Sequence, residues 1–192
     1  DTRGGRGGRE QRVGAYLIQM HCEDDTLESS DITRAIDSIR YDGFVVKPAF
    51  IDPNGHMNVG YYAVLFDNAL DLPWDRLGLG SASIKETGCS SFSLESHITY
   101  RREVHEGDPL AFTFQLIDVD AKRIHYFMTM LHARERWLAS TCESISMCID
   151  MTTRRSTAWP ADRLARMQAL LETHSRRPRP AEVGRVIGIR RK

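Results

Sequence analysis

The stretch FIDPNGHMNVGYYAVLFDNALDLPW, Phe50 to Trp74, decides how this chain is read. It sets an acid, a turn, a histidine and an asparagine directly before an amphipathic segment. Asp52-Pro53-Asn54-Gly55 carries the type I turn preferences, with Asp first, Pro second and Gly fourth. Asn58 suits a helix N-cap. From there Val59, Tyr62, Ala63, Phe66 and Leu70 recur at helical spacing and define one face to bury. Pro73 is expected to end or kink that helix, because Leu72 before it is pushed out of the helical region. A helix start carries unpaired backbone N–H groups and a partial positive charge, which can hold a carbonyl oxygen as it becomes an oxyanion. Asp52 offers a carboxylate at the same end. These are the minimum for hydrolysing an activated acyl compound. The plainer alternative is that Asp52 only starts the turn while His56 and Asn58 only cap the helix.

Outward from that stretch the periodicity changes from helical to alternating. FVVKPAFI (Phe44–Ile51) reads as a strand with an edge or bend at its proline. After the helix come SFSLESHITYRREV, LAFTFQLIDVD, IHYFMTMLHA and WLASTCESISMCIDM, separated by GDP, DAKR and RER. Phe92, Leu94, Ile98 and Tyr100 are expected on one face of the first of these. In the last, Trp137, Ala139, Thr141, Ile145, Met147 and Ile149 form the apolar face, opposite Ser140, Cys142, Ser144, Ser146, Cys148 and Asp150. Short turns imply a four-strand antiparallel meander. One apolar helix face and one apolar sheet face need each other, so the expected class is α+β, a curved antiparallel sheet of about five strands wrapped around one long central helix. Beyond it, PADRLARMQALLETH has Leu164, Met167, Leu170 and Leu171 at helical spacing, and SRRPRPAEVGRVIGIRRK reads as a basic, mobile tail. Before it, AYLIQMHCE suggests a short strand, SSDITRAIDSIR a short helix, and the Gly/Arg-rich DTRGGRGGREQR a disordered start. The division is therefore 1–40, 41–153 and 154–192.

Composition narrows the function. The 192 residues hold 41% hydrophobic and 27% charged residues, as in an ordinary globular domain. Lys+Arg and Asp+Glu number 26 each, which argues against nucleic acid or an anionic membrane as partner. No apolar run approaches the length of a membrane span. Cys22, Cys89, Cys142 and Cys148 make no C-x-x-C pair, and they read as reduced packing residues of a cytoplasmic protein. No residue spacing suggests a metal or a cofactor, and Ser90, Ser91 and Ser93 lack a nucleophile elbow.

DPNGHMNVGYY resembles the D-x-x-G-H-[VM]-N-x-x-x-Y signature of hotdog-fold acyl-CoA thioesterases of the 4-hydroxybenzoyl-CoA thioesterase type. Asp52, Gly55, His56, Asn58 and Tyr62 match it, with Phe66 one turn on. The order of elements is similar from Tyr41 to Thr153. The resemblance implies that Asp52 is the catalytic carboxylate, as nucleophile or general base, with His56 and Asn58 beside it. It implies that helix-start N–H groups polarise the thioester carbonyl, and that the active site forms in a homodimer or dimer of dimers. Gly55, Gly60, Tyr61, Tyr62, Phe66, Trp74 and Glu143 are the expected substrate-binding residues. Val59 departs from the pattern, since many relatives repeat Asn there. ESH (Glu95–His97), DAKRIHYF (Asp120–Phe127) and IDMTTRRS (Ile149–Ser156) are similar to the betainyl-CoA thioesterase branch, which serves carnitine breakdown. A trimethylammonium group needs aromatic faces and a carboxylate. Tyr61, Tyr62, Phe66 and Trp74, with Asp67, Asp71 or Glu143, are the candidates. Two other readings stay open: a hotdog acyl-thioester dehydratase, and a hotdog protein that binds acyl-CoA without turnover. Glu143 stands alone on an apolar strand face. It either lines the pocket or is turned outward by a bulge.

Overall fold

A computed structural model describes residues 41–189. The strand, helix and Gly/Arg-rich start expected before residue 41 lie outside the described residues. In chain order the elements are β1 (Tyr41–Val45), α1 (Val59–Leu77), α2 (Ser81–Thr87), β2 (Cys89–Tyr100), β3 (Pro109–Val119), β4 (Arg123–His132), β5 (Leu138–Asp150) and α3 (Ala161–His174). The strands form one antiparallel sheet in the order β1-β3-β4-β5-β2. Alternation puts Leu110, Phe112, Phe114 and Leu116 of β3 on one side, and Ile124, Tyr126, Met128 and Met130 of β4 beside them. Tyr62, Leu65, Phe66, Ala69 and Leu70 of α1 pack into the same cluster. The expected curved sheet around a helix is what forms.

Only three of the four later strands make the expected meander. β2 instead crosses to the far edge and pairs with β5. The reason lies in the link between β2 and β3, which is no hairpin. Arg101 and Arg102 both donate their N–H to Ala139 O, at 2.9 and 3.2 Å, so the link starts against β5. It ends against β1, where Gly107 N–H donates to Val46 O at 2.9 Å. Midway, Val104 O accepts from Met57 N–H at 2.9 Å, just before α1 begins. The link therefore runs across the end of the sheet, against the start of the helix.

Three further expectations need correcting. The apolar face of β5 is not the core face. Ser140, Cys142, Ser144, Ser146 and Cys148 are at most 5% exposed. Small residues there face the helix side, and their hydroxyls find partners: Ser140 Oγ donates to Thr99 O at 2.8 Å and Ser144 Oγ to Glu95 O at 2.9 Å. In β2, a bulge between Ser93 and Glu95 splits the expected apolar face. Phe92 is turned to the outer side, where Arg154 lies over its ring, while Ile98 and Tyr100 stay on the inner side. Finally, α1 does not end at Pro73. It continues to Leu77 and stops at Gly78, whose φ of 72° suits a left-handed C-cap. Pro73, Trp74 and Leu77 are buried, so packing overrides the local cost of the proline.

α3 behaves as its spacing predicts, with Met167 and Leu170 in the core and Leu164 and Leu171 against it. β1 pairs only with the first part of β3, as far as Phe112. Further along, Leu116 N–H donates to His174 Nδ1 at 2.8 Å, so α3 closes the edge that β1 leaves open. No described helix is long and apolar enough to cross a membrane.

The Phe112 ring is fully buried and meets Phe44 at 4.9 Å and Phe66 at 5.6 Å. Phe112→Ala should lower stability by about 3–5 kcal/mol, measured by urea unfolding. A loss well under ~1 kcal/mol would show that this ring does not join sheet to helix.

Candidate active site

The Asp52 turn is closed by its own backbone. Gly55 N–H donates to Asp52 O at 2.9 Å, the bond expected of a type I turn. Asp52 N–H donates to His56 O at 3.0 Å, and Ile51 bridges Met57. Gly55 has φ of 84°, which is why glycine stands at that corner. Asp52 Oδ1 accepts from Asn54 N–H at 2.8 Å. Its Oδ2 lies 3.9 Å from His56 Nδ1, and that nitrogen is 3.3 Å from Met57 O. The Asp52 side chain is 13% exposed and that of His56 is 33% exposed, so the acid is sheltered yet reachable.

Asn58 caps α1. Its Oδ1 accepts from Gly60 N–H at 3.0 Å, and its backbone O accepts from Tyr61 N–H at 3.0 Å. Asn58 N–H donates to Phe50 O at 2.9 Å, which ties the cap to the chain before the turn. Tyr61 stacks on Phe50, with ring centroids 4.3 Å apart and planes at 25°. Lys47 Nζ sits over Phe50 at 5.8 Å. Asp52, Gly55, His56, Asn58, Gly60 and Tyr61 thus belong to one small region, with Phe50 as a member that sequence spacing did not single out. The signal for Phe50 was its place two residues before Asp52, which periodicity does not read.

The other expected residues lie elsewhere. Tyr62 and Phe66 are core residues; Tyr62 meets Tyr100 edge-on at 5.1 Å. Burial pushes the Tyr62 hydroxyl pKa above its usual value. Trp74 lies about 22 Å along the helix from Val59. Its Nε1 donates to Ser91 Oγ at 2.6 Å, and its ring packs edge-on to Tyr126 at 5.1 Å. Glu143 is on the outer side of the sheet, away from α1. No bulge is needed for that, since Glu143 alternates with the buried Cys142 and Ser144 and shares its side with Ile145, Met147 and Ile149. There it bonds His125 Nε2 at 2.8 Å and accepts from Gly184 N–H at 2.8 Å. Asp67, Asp71 and Asp75 repeat every fourth residue on the exposed side of α1. Desolvation, together with Asp67 and Asp75, pushes the Asp71 carboxyl up. Cys142 has its thiol pushed up to about 12 by burial, which keeps it a neutral packing group.

A curved five-strand antiparallel sheet wrapped around α1 is the hotdog fold. Residues 46–168 match the model of the thioesterase-like superfamily, and the chain belongs to that superfamily. It is a thioester hydrolase. A betainyl-CoA thioesterase of Pseudomonas aeruginosa is 33% identical over 144 residues, covering 75% of this chain and 91% of the relative. An L-carnitine dehydrogenase/betainyl-CoA thioesterase of Rhizobium meliloti is 30% identical over 86% of this chain, which spans 32% of that longer protein. Among solved structures, a Staphylococcus aureus protein in complex with CoA is 29% identical, with a TM-score of 0.72 over 79% of this chain and 96% of that one.

Asn58→Ala removes the oxygen that holds the Gly60 N–H. It should cost about 1 kcal/mol of stability, while Asn58→Asp retains most of it. Equal melting curves for the alanine variant and the parent would contradict the capping role.

Proposed function

We propose that this enzyme hydrolyses acyl-CoA thioesters with Asp52 as the reacting carboxylate, and that its acyl group is betainyl. The observation that carries the first part is the Asp52 carboxylate held by its own turn at the open start of α1. Asn58 already occupies the N–H groups of Gly60 and Tyr61. The N–H of Val59, the first residue of the helix, is then the donor suited to the thioester oxygen. A backbone donor does not depend on the side chain, so valine in place of asparagine keeps this function. Asp52 either attacks the carbonyl carbon itself or takes a proton from the attacking water. In both routes the C–S bond breaks, water is consumed, and a free acid and the CoA thiol leave. The His125–Glu143 pair, which a dehydratase would want as acid and base, is on the other side of the sheet from Asp52.

The betainyl assignment is supported by the two relatives named for that activity. Chemistry limits which residues can serve it. Betaine's ammonium nitrogen is two bonds from the carbonyl carbon, so its site must adjoin Asp52. Asp67 is about 12 Å along the helix from Val59, and Trp74 is farther. Of the aromatic candidates within one chain, Tyr61 has the right place. Phe50 backs one side of its ring, and its other face suits a cation. A second copy is expected to complete the site. β2 is a twelve-residue edge strand with one neighbour, and it exposes Phe92, Leu94 and Tyr100 at 37, 53 and 51%. Such an edge invites pairing with its own copy. The cytoplasm, where thiols stay reduced, is the compartment that fits three free cysteines among the described residues.

Asp52→Asn should cut kcat about 10³-fold or more with the fold intact, read from CoA release with a thiol reagent. Near-normal turnover would falsify the assignment. Tyr61→Leu should lower kcat/KM for betainyl-CoA about tenfold and leave an uncharged branched-alkyl acyl-CoA little changed. Equal losses on both substrates would sink the ammonium site and leave the hydrolase standing.

A further inference from the structure

As far as Gly184, the chain after α3 does not trail into solvent as its basic composition suggests. It is fixed at three points across the outer side of the sheet. Gln115 Nε2 donates to Pro178 O at 3.4 Å. Arg101 pairs with Glu182 at 2.5 Å. Gly184 N–H donates to both carboxylate oxygens of Glu143, at 3.0 and 2.8 Å. Two of these anchors, Gln115 and Glu143, share one row of the sheet. Gln115, Phe127, Glu143 and His97 are register partners in one row across β3, β4, β5 and β2. Residues 178–184 lie over that row, folded into turns by Val183 N–H to Pro180 O and Arg185 N–H to Glu182 O, both at 3.1 Å, and Phe127 in its middle is only 3% exposed.

The row leads off the sheet. After Glu143 comes His97 on β2, and beyond β2 the sheet has no further strand. The segment that follows the last anchor contains Val186, Ile187 and Ile189, exposed at 83, 84 and 90%. Five extended residues reach at most about 17 Å, and strands lie about 4.8 Å apart. Residues 185–189 can therefore pass β2 and lie over a strand paired to it. Three large apolar side chains in full solvent, next to a firmly held segment, mark a surface awaiting a partner. The outer side of β2 offers the matching chemistry: Phe92, 37% exposed, for the arm's apolar side chains, and the exposed carboxylate of Glu95 for Arg185.

We propose that residues 185–189 form an arm that crosses the β2 edge and docks on the outer side of β2 in a second copy of this chain. The proposal rests on the edge-to-edge dimer put forward above. Two-fold symmetry then makes each copy both give and receive an arm. The arm's isoleucines lie against Phe92 of the second copy and Arg185 approaches Glu95.

Two variants test this by sedimentation equilibrium over a dilution series: the chain cut after Gly184, and Ile187→Asp in the full chain. Both should raise the dimer dissociation constant at least tenfold, with circular dichroism spectra and melting midpoints kept. Ile187 is so exposed that its substitution tests the arm even where truncation harms folding. A photo-crosslinking amino acid at position 187, in a mixture of tagged and untagged chains, should give tagged–untagged adducts. A parent dimer unaffected by either variant, with adducts only within one chain, overturns the arm and leaves the dimer in place. A parent that is monomeric overturns the dimer reading and the arm with it.

Discussion

One backbone hydrogen bond, from Met57 N–H to Val104 O, joins the Asp52 turn and the start of α1 to the frame of the molecule. Met57 is 1% exposed and Val104 not at all, so water does not compete for it. On one side of this bond is the turn that holds Asp52 and the cap that starts α1. On the other is the link that carries the chain from β2 to β3 across the end of the sheet. A link of this kind costs the protein a simple hairpin, and it sends β2 to the far edge. In return the turn is clamped between α1, the link and the bridge of Ile51 to Met57. A carboxylate on a free loop would sample many positions, whereas this one is held within reach of a helix start.

The two faces of the sheet solve burial differently. Inside, β5 supplies serines and cysteines, small enough for α1 to approach, with hydroxyls bonded to β2 carbonyls. Outside, threonines pair across strands, Thr113 with Thr129 and Thr99 with Thr141, and the segment after α3 lies over the row that contains Phe127. Glu143 is central to that outer arrangement. Its charge is met by the His125 ring and the Gly184 N–H, so a lone acid on an apolar row is satisfied without any pocket.

Much of this was legible in the residues from Asp52 to Leu70. The turn, the cap at Asn58 and the burial of Tyr62, Phe66 and Leu70 follow from local chemistry, whereas Val59 and Ala63 of the same expected stripe stay exposed. The class of fold followed from the change of period after the helix. Illegible were the features set by distant partners. The place of β2 depends on a link whose bonds go to Ala139, Val104's partner Met57, and Val46. The inward face of β5 could not be told from alternation, because buried serines look polar until their acceptors are known. Pro73 reads as a stop until the burial of Trp74 and Leu77 beyond it is seen. Trp74 and Glu143 were grouped with the site because aromatic and acidic residues suit a cationic acyl group, but residue type carries no distance.

The central claim is that the thioester is held between the Asp52 carboxylate and the start of α1. It is tested most directly by a crystal structure of the Asp52→Asn variant with uncleaved acyl-CoA. The account predicts the thioester oxygen within hydrogen-bonding distance of the Val59 N–H, with the side chain of residue 52 beside the carbonyl carbon. A thioester bound elsewhere, with the helix start facing solvent, would contradict it.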